Sequence, residues 1–171
     1  MISRIILGFI FFLFAFAVSL FTIYLCFKVV MRITKYDDIS LINKNNIAAS
    51  LVIVSSFIAT AIMVKNAIYP ISAVVQDFWL MAEKNILQFV ILLGRAIAYF
   101  LVTVVLSLAS IGTALFVFQK MTKSLNEEQE IQKNNIAIGL LLGGVLIAFA
   151  LLVETGISDF VNTLIPLKKL F

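Results

Sequence analysis

Hydrophobic residues form long uninterrupted runs in this chain, and polar residues gather in short clusters between them. Four runs each approach the roughly 20 apolar residues that cross a hydrocarbon core of about 30 Å as a helix. They are Ile5 to Phe27, Ile47 to Val64, Ile97 to Phe118 and Ile136 to Val153. The pattern predicts four transmembrane helices, with spans at about residues 5–31, 46–68, 96–119 and 135–156.

The two halves of the chain repeat one arrangement. The pentapeptide KNNIA stands at Lys44 to Ala48 and again 89 positions later at Lys133 to Ala137, each time where a charged loop gives way to an apolar run. Each half reads as a long apolar helix, a charged loop and a shorter apolar helix. Two hairpins of two spans each have the same orientation in the bilayer, so this is a parallel duplication. The predicted fold class is an all-α membrane protein of two tandem helical hairpins.

The repeat divides the chain into four parts. The first hairpin repeat covers residues 1–68 and the second covers 95–157, with a segment 69–94 between them and a tail 158–171 after them. Three polar residues of the middle segment and one at the start of the second repeat recur within about 20° of one line on a helix. They are Asp77, Lys84, Gln88 and Arg95. This polar line predicts an amphipathic helix that either lies along the membrane interface or continues into the third span, facing water, a partner or a pore. The tail is expected to lie on the same surface.

The asparagines of KNNIA stand where an apolar helix begins. A side-chain oxygen at such a position accepts a hydrogen bond from a first-turn N–H that has no partner within the helix. We therefore predict helix caps at Asn45 or Asn46 in the first half and at Asn134 or Asn135 in the second. The other asparagine of each pair could face a partner helix or a ligand.

Small residues line one face of the helix that follows each KNNIA. Helix positions 0, 7 and 11 fall within about 20° of one line. They are Ala48, Ser55 and Ala59 in the first half and Ala137, Gly144 and Ala148 in the second, where Gly139 and Gly143 add a GxxxG spacing. Membrane helices pack where small residues let their backbones approach, because apolar side chains gain little by leaving lipid. We expect the second and fourth spans to contact each other or a neighbouring subunit, unless the small residues merely reflect their abundance in membrane helices.

Lys65 and Glu154 occupy equivalent positions in the two repeats and carry opposite charges. Lys65 lies about 27 Å along a helix from Ile47, close to the far membrane interface. The residues leave three alternatives open: both charges reach the headgroups, they form an ion pair between the hairpins, or they take part in ion transport. Arg95 is the deepest charge of the polar line if that line faces a pore.

Composition narrows the function classes. The chain is 63% hydrophobic and 13% charged, with a mean hydropathy of +1.13, outside the range of soluble domains. It has no histidine and one cysteine, Cys26, so intramolecular disulfides, the usual zinc sites and histidine acid–base catalysis are excluded. The net charge of +4 comes with basic residues at span ends, which favours lipid headgroups over nucleic acid. We expect no cofactor and no enzymatic activity, since only Glu154 could act as an embedded base.

The sequence ITKYDDISLINKNNIAAS (Ile33 to Ser50), with NNIAIG (Asn134 to Gly139) opening the last span, resembles the YjfL-like bacterial inner-membrane family, domain of unknown function 350. The resemblance covers most of the chain and implies four spans from a duplicated hairpin, with no established catalytic activity. Ser72 to Leu93 and the tail look like additions to the shorter family pattern. Some members are encoded beside membrane-stress proteins related to phage-shock protein A, which implies such a protein as a partner by association.

Two hypotheses follow. The first is a non-catalytic homo-oligomer of the bacterial inner membrane that serves as a scaffold or as a component of the envelope-stress response. The alternative is an oligomeric channel or small-ion transporter. The first is favoured because polar groups within the spans are few and are mostly hydroxyls, which can bond to their own helix backbone.

Overall fold

The computed structural model describes residues 2–33, 38–80, 85–122 and 126–166. These residues form six helices and no strand. They are α1 (Ile2–Ile33), α2 (Asp38–Asn43), α3 (Ile47–Leu80), α4 (Ile86–Met121), α5 (Glu127–Gln132) and α6 (Ile136–Leu164). Among the described residues, α1, α3, α4 and α6 are long and apolar enough to cross a membrane. The predicted fold class is confirmed.

Helices α3 and α6 lie side by side and run parallel. The side chain of Asn46 bonds to the carbonyl of Ile131 near the start of both helices, and Lys65 pairs with Glu154 farther along. Residue numbers therefore increase together along the contact, as two hairpins of the same orientation require. Their contact is the most extensive between any two helices of the described structure.

Helix α3 is the centre of the bundle, since α1, α4 and α6 all pack against it. Its buried side chains include Val52, Met63 and Ala67, which join Val104 of α4 and Leu146 of α6 in one apolar core. Helix α1 packs on a separate side of α3 and leaves most of its surface outside the bundle. This surface is available to lipid.

The predicted amphipathic helix of residues 69–94 is two separate pieces. Its first part continues α3 as far as Leu80, and its last part begins α4 at Ile86. Asn85 caps α4, because its Oδ1 accepts a hydrogen bond from the Gln88 amide at 3.1 Å. A side chain that bonds its own following backbone in this way competes with a continuous helix. The prediction of one unbroken helix missed this cap.

The chain reverses direction between α3 and α4. The rings of Phe78 in α3 and Phe89 in α4 lie 4.2 Å apart between centroids, so the two helix ends pack against each other. The predicted polar line is therefore not one helical face. Gln88 and Arg95 are exposed on α4, while Lys84 and the side chain of Asp77 lie outside the described residues.

The long helices exceed the thickness of a hydrocarbon core. Helices α3, α4 and α6 contain 34, 36 and 29 residues, or about 51, 54 and 44 Å at about 1.5 Å per residue. A core of about 30 Å cannot contain them. The first part of the predicted tail also belongs to this extension, since α6 continues to Leu164, and residues 167–171 lie outside the described residues.

Candidate functional site

Most of the residues that the sequence singles out lie along the contact between α3 and α6. The KNNIA asparagines lie at its beginning, the small residues of α3 and the GxxxG glycines of α6 lie along it, and the charged pair lies farther on. The contact joins the two repeats.

Asn46 joins the two repeats at the start of α3. Its Oδ1 accepts a hydrogen bond from the Ala49 amide at 2.9 Å, the cap that the sequence predicts for one of the two asparagines. Its Nδ2 donates to the Ile131 carbonyl at 2.7 Å and to the Gln132 carbonyl at 3.4 Å, both in α5. The side chain is 4% exposed, so these bonds are shielded from water. One amide thus caps a helix of the first repeat and holds the loop helix of the second.

Asn134, in the second repeat, caps α3 of the first repeat. Its Oδ1 accepts a hydrogen bond from the Ala48 amide in the first turn of α3, at 3.1 Å. Its backbone has a φ of 62°, the left-handed conformation that asparagine tolerates better than most residues. Asn45, its repeat equivalent, has a φ of 57°. The two repeats therefore share this turn, and Asn134 uses it to cap α3.

The predicted cap of α6 differs from the one that the structure has. Asn135 occupies the N-cap position, but its side chain makes no cap hydrogen bond. Its Nδ2 instead donates to Oε2 of Glu130 at 2.8 Å. Glu130 of α5 thus binds the side chain that was predicted to cap α6. The first repeat has Leu41, which cannot accept a hydrogen bond from a side-chain amide, at the position equivalent to Glu130.

Glu130 is held by two donors. Besides Asn135, Lys133 donates to its Oε1 at 3.0 Å. These two hydrogen bonds and the lysine charge lower the pKa of the Glu130 carboxyl from its usual range, with Asn135 as the largest cause. The carboxylate form therefore fixes the turn that leads into α6.

Two glycines of α6 lie against the predicted small residues of α3. A Cβ added at Gly139 would lie 2.7 Å from both the Cα and the O of Ala48. A Cβ added at Gly143 would collide with Oγ of Ser55. Any side chain at Gly139 would thus strike backbone that cannot rotate away, so the glycines let the two helices approach closely.

The other small residues of α6 point away from α3. Ala48, Ser55 and Ala59 are buried on α3 as the packing hypothesis expects within the chain. Ala137, Gly144 and Ala148 are exposed instead. Residues 137 and 139 differ by about 160° around a helix, so the GxxxG pair and the predicted stripe cannot face α3 together. Within the chain, α6 uses its GxxxG pair.

An ion pair joins α3 and α6 farther along the contact. The Nζ of Lys65 lies 3.1 Å from Oε1 of Glu154, and Asn66 Nδ2 donates to the same oxygen at 2.8 Å. The Glu154 side chain is only 15% exposed, whereas that of Lys65 is 57% exposed. Of the three sequence alternatives, the pair between hairpins is the arrangement present.

The remaining candidate residues lie beside two cavities. Arg95 is exposed at an open cavity of about 510 Å³ between α4 and the end of α6, where Leu164 and Pro166 form the opposite wall. Cys26 lies at a smaller cavity of about 190 Å³ between α1 and α3, and its Sγ is 2.9 Å from Oγ1 of Thr60. Among the described residues, no group of three histidine, cysteine or acidic side chains could hold a metal ion.

Sequence reasoning missed the bonds that cross between repeats. It placed Asn134 at its own helix, although the repeated pair of asparagines was a signal for the left-handed turns. It also missed Glu127, which is 7% exposed and whose Oε1 has no hydrogen-bond partner in the part of the chain that the structure describes. The only sequence signal for Glu127 was its position at the start of an acidic loop helix. That signal does not predict burial, because glutamates at such positions are usually solvated.

The family comparison finds the same duplication. The model of the Domain of Unknown Function (DUF350) matches residues 4–99 and again residues 86–167. The chain belongs to this family. The first match runs through residues 72–93 and the second extends into the tail, so the expectation that these parts are additions to the family pattern is wrong. No curated protein and no solved structure matches the chain.

Proposed function

We propose that this DUF350 protein is a non-catalytic, oligomeric protein of the bacterial inner membrane that acts as a scaffold or in the response to envelope stress. The observation that carries the proposal is the use of the polar groups along the contact between α3 and α6. Asn46 and Asn134 join the two repeats near the start of α3 and α6, and Lys65 and Glu154 join them farther along. These groups hold helices together and supply no evident nucleophile with its base.

The hydroxyls within the spans support the same proposal. Most of them donate to the backbone carbonyl four residues earlier in their own helix. They are Ser19, Thr22, Ser56, Thr60, Thr103, Ser107 and Thr113. A hydroxyl engaged in this way is less available to line a path for ions.

The alternative of a channel or small-ion transporter rests on the charges at the ends of the apolar stretches. It is tested by reconstituting the purified protein in planar bilayers and measuring current. The scaffold proposal predicts no selective current. A selective current that Glu154→Gln or Arg95→Ala abolishes would overturn it in favour of transport.

The cellular part of the proposal needs its own experiment. Fractionation of the native host should recover the protein with inner-membrane markers. Proteoliposomes that contain the protein should retain a purified protein related to phage-shock protein A better than empty liposomes of the same lipid. Equal retention by both kinds of liposome would reject the proposed partner. Recovery with the markers of another membrane would reject the proposed localisation.

A further inference from the structure

We propose that the exposed stripe of α6 binds a second copy of this chain at the face of α3 that bears Ser50 and Val54. The stripe consists of Ala137, Gly144 and Ala148. The inference rests on the proposed oligomer and names its interface. It follows from how the two repeats already contact each other.

The contact between the repeats uses different faces of equivalent helices. Helix α3 contributes the stripe face, with Ala48 and Ser55, and α6 contributes what we call the opposing face, with Gly139 and Gly143. Such a contact is heterologous, because the two partners use different surfaces. This contact therefore uses neither the stripe face of α6 nor the opposing face of α3.

The two unused faces are both on the surface. The stripe face of α6 is exposed, and a Cβ added at Gly144 meets no atom within 4 Å. The opposing face of α3 is the repeat equivalent of Gly139 and Gly143, namely Ser50 and Val54. Val54 is 51% exposed and Ser50 is half-buried. Repeating the intrachain contact between copies would place Ser50 against Ala137 and Val54 against Gly144.

The side-chain sizes fit this repetition at Val54 and Gly144. At the other position Ser50 carries a side chain where Gly139 has none, so two copies lie slightly farther apart there than α3 and α6 do within the chain. Within the chain, Gly143 has no side chain and its opposite residue, Ser55, carries one. Between copies the roles of the two helices are exchanged. Val54 of α3 then carries the side chain, and Gly144 of α6 is the residue without one. A large residue opposite a glycine is the arrangement that lets membrane helices pack closely. Duplication alone would preserve similar residues and gives no reason for this exchange.

The asparagines supply an independent polar argument. Asn134 caps α3 across the intrachain contact by accepting from the Ala48 amide. Asn45 has the same left-handed backbone and is exposed, so its side chain is placed to accept from the equivalent amide of Ala137 in a second copy. That end of α6 receives no side-chain cap from its own N-cap residue, Asn135.

A heterologous contact between copies continues from one chain to the next. It forms a closed ring where the rotation closes and an open filament where it does not. Every such contact joins position 50 of one chain to position 137 of another, and it never joins position 137 to itself. This asymmetry makes the proposal directly testable.

The test is cross-linking of the full chain in liposomes, in a Cys26→Ala background. Ser50→Cys combined with Ala137→Cys should give covalent dimers and higher species on a denaturing gel after mild oxidation. Each single-cysteine variant should stay monomeric on the gel. Both positions lie near the start of their helices, close to the membrane surface where oxidant has access.

Each other outcome overturns the interface. Dimers from Ala137→Cys alone would indicate a twofold contact between stripe faces instead. No cross-links from a protein whose native mass in lipid is that of an oligomer would reject the interface while leaving the oligomer intact. A monomeric native mass would reject both the interface and the proposed oligomer.

A second variant tests the same interface without cysteines. Gly144→Leu should shift the native mass in lipid toward the monomer, because leucine fills the space that Val54 needs. Gly94→Leu is the matched control, since Gly94 is also an exposed helical glycine with no atom within 4 Å of an added Cβ. Equal oligomer mass in both variants would contradict the proposal.

Discussion

The Nζ of Lys65 lies 3.1 Å from Oε1 of Glu154, at equivalent positions of the two repeats. Duplication would place the same residue at both positions, yet one is basic and the other acidic. The pair joins α3 to α6 well away from the KNNIA loops. Because Asn66 also donates to Glu154, the carboxylate has two partners on α3.

We expect a measurable but modest coupling between these two charges. Lys65 is 57% exposed, and solvent screening limits exposed pairs to about 0.2–1 kcal/mol. A double-mutant cycle with Lys65→Met and Glu154→Gln, followed by thermal unfolding in detergent, should give a coupling of that size. Arg95→Gln combined with Glu154→Gln is the control and should give additive losses. Additive losses for the Lys65 cycle would mean that the ion pair contributes no stability.

Sequence could predict the architecture because membrane spans and a duplication leave strong local signals. The apolar runs and the two KNNIA copies predict the four long helices and the parallel hairpins. Neither signal specifies which side of α6 faces α3, since Gly139 and Gly144 are both small and lie on different faces. The bonds from Asn46 and Asn134 also escaped prediction, because they connect residues about 85 positions apart along the chain. Asn85 was identifiable as a cap, but the absence of glycine and proline between Ser72 and Leu93 suggested a continuous helix.

Gly139 should be intolerant of any side chain. Gly139→Ala places a Cβ 2.7 Å from backbone atoms of Ala48, so α3 and α6 must separate. Overpacking of this kind costs about 1–3 kcal/mol, and the unfolding temperature of the purified protein should fall. Gly156→Ala is the matched control on the same helix, where an added Cβ meets nothing within 4 Å. Equal unfolding temperatures for the two variants would show that the close approach is not required.

Asn46 should contribute more to the free energy of unfolding than an ordinary helix cap does. Asn46→Ala removes the cap of α3, at about 1 kcal/mol, and also leaves the carbonyl of Ile131 without its buried donor, at about 1–3 kcal/mol. Asn85→Ala is the comparison, because Asn85 is an exposed asparagine that caps α4 alone. Chemical or thermal unfolding should therefore show the larger loss for Asn46→Ala. A loss no greater than that of Asn85→Ala would argue against the bond between repeats.

Asn134 allows its backbone and side-chain contributions to be separated. Asn134→Gly keeps the left-handed turn at no steric cost but loses the bond to the Ala48 amide. Asn134→Ala loses the bond and must also adopt a φ of 62°, at a further cost of about 1–2 kcal/mol. Thermal unfolding should rank the wild type first, the glycine variant second and the alanine variant third. A glycine variant as stable as the wild type would show that the cap across the repeats adds nothing.

Acid should loosen the turn that leads into α6. The folded-state pKa of Glu130 is lowered by its bonds to Asn135 and Lys133, so its carboxylate contributes stability above the unfolded-state pKa of about 4.3. This contribution is lost as the pH falls through the lowered folded-state value. The unfolding temperature of the wild type should therefore decline more steeply than that of Glu130→Gln between about pH 6 and about pH 3. Glu128→Gln keeps both bonds to Glu130 and should follow the wild type. Parallel declines for wild type and Glu130→Gln would place the acid sensitivity elsewhere in the chain.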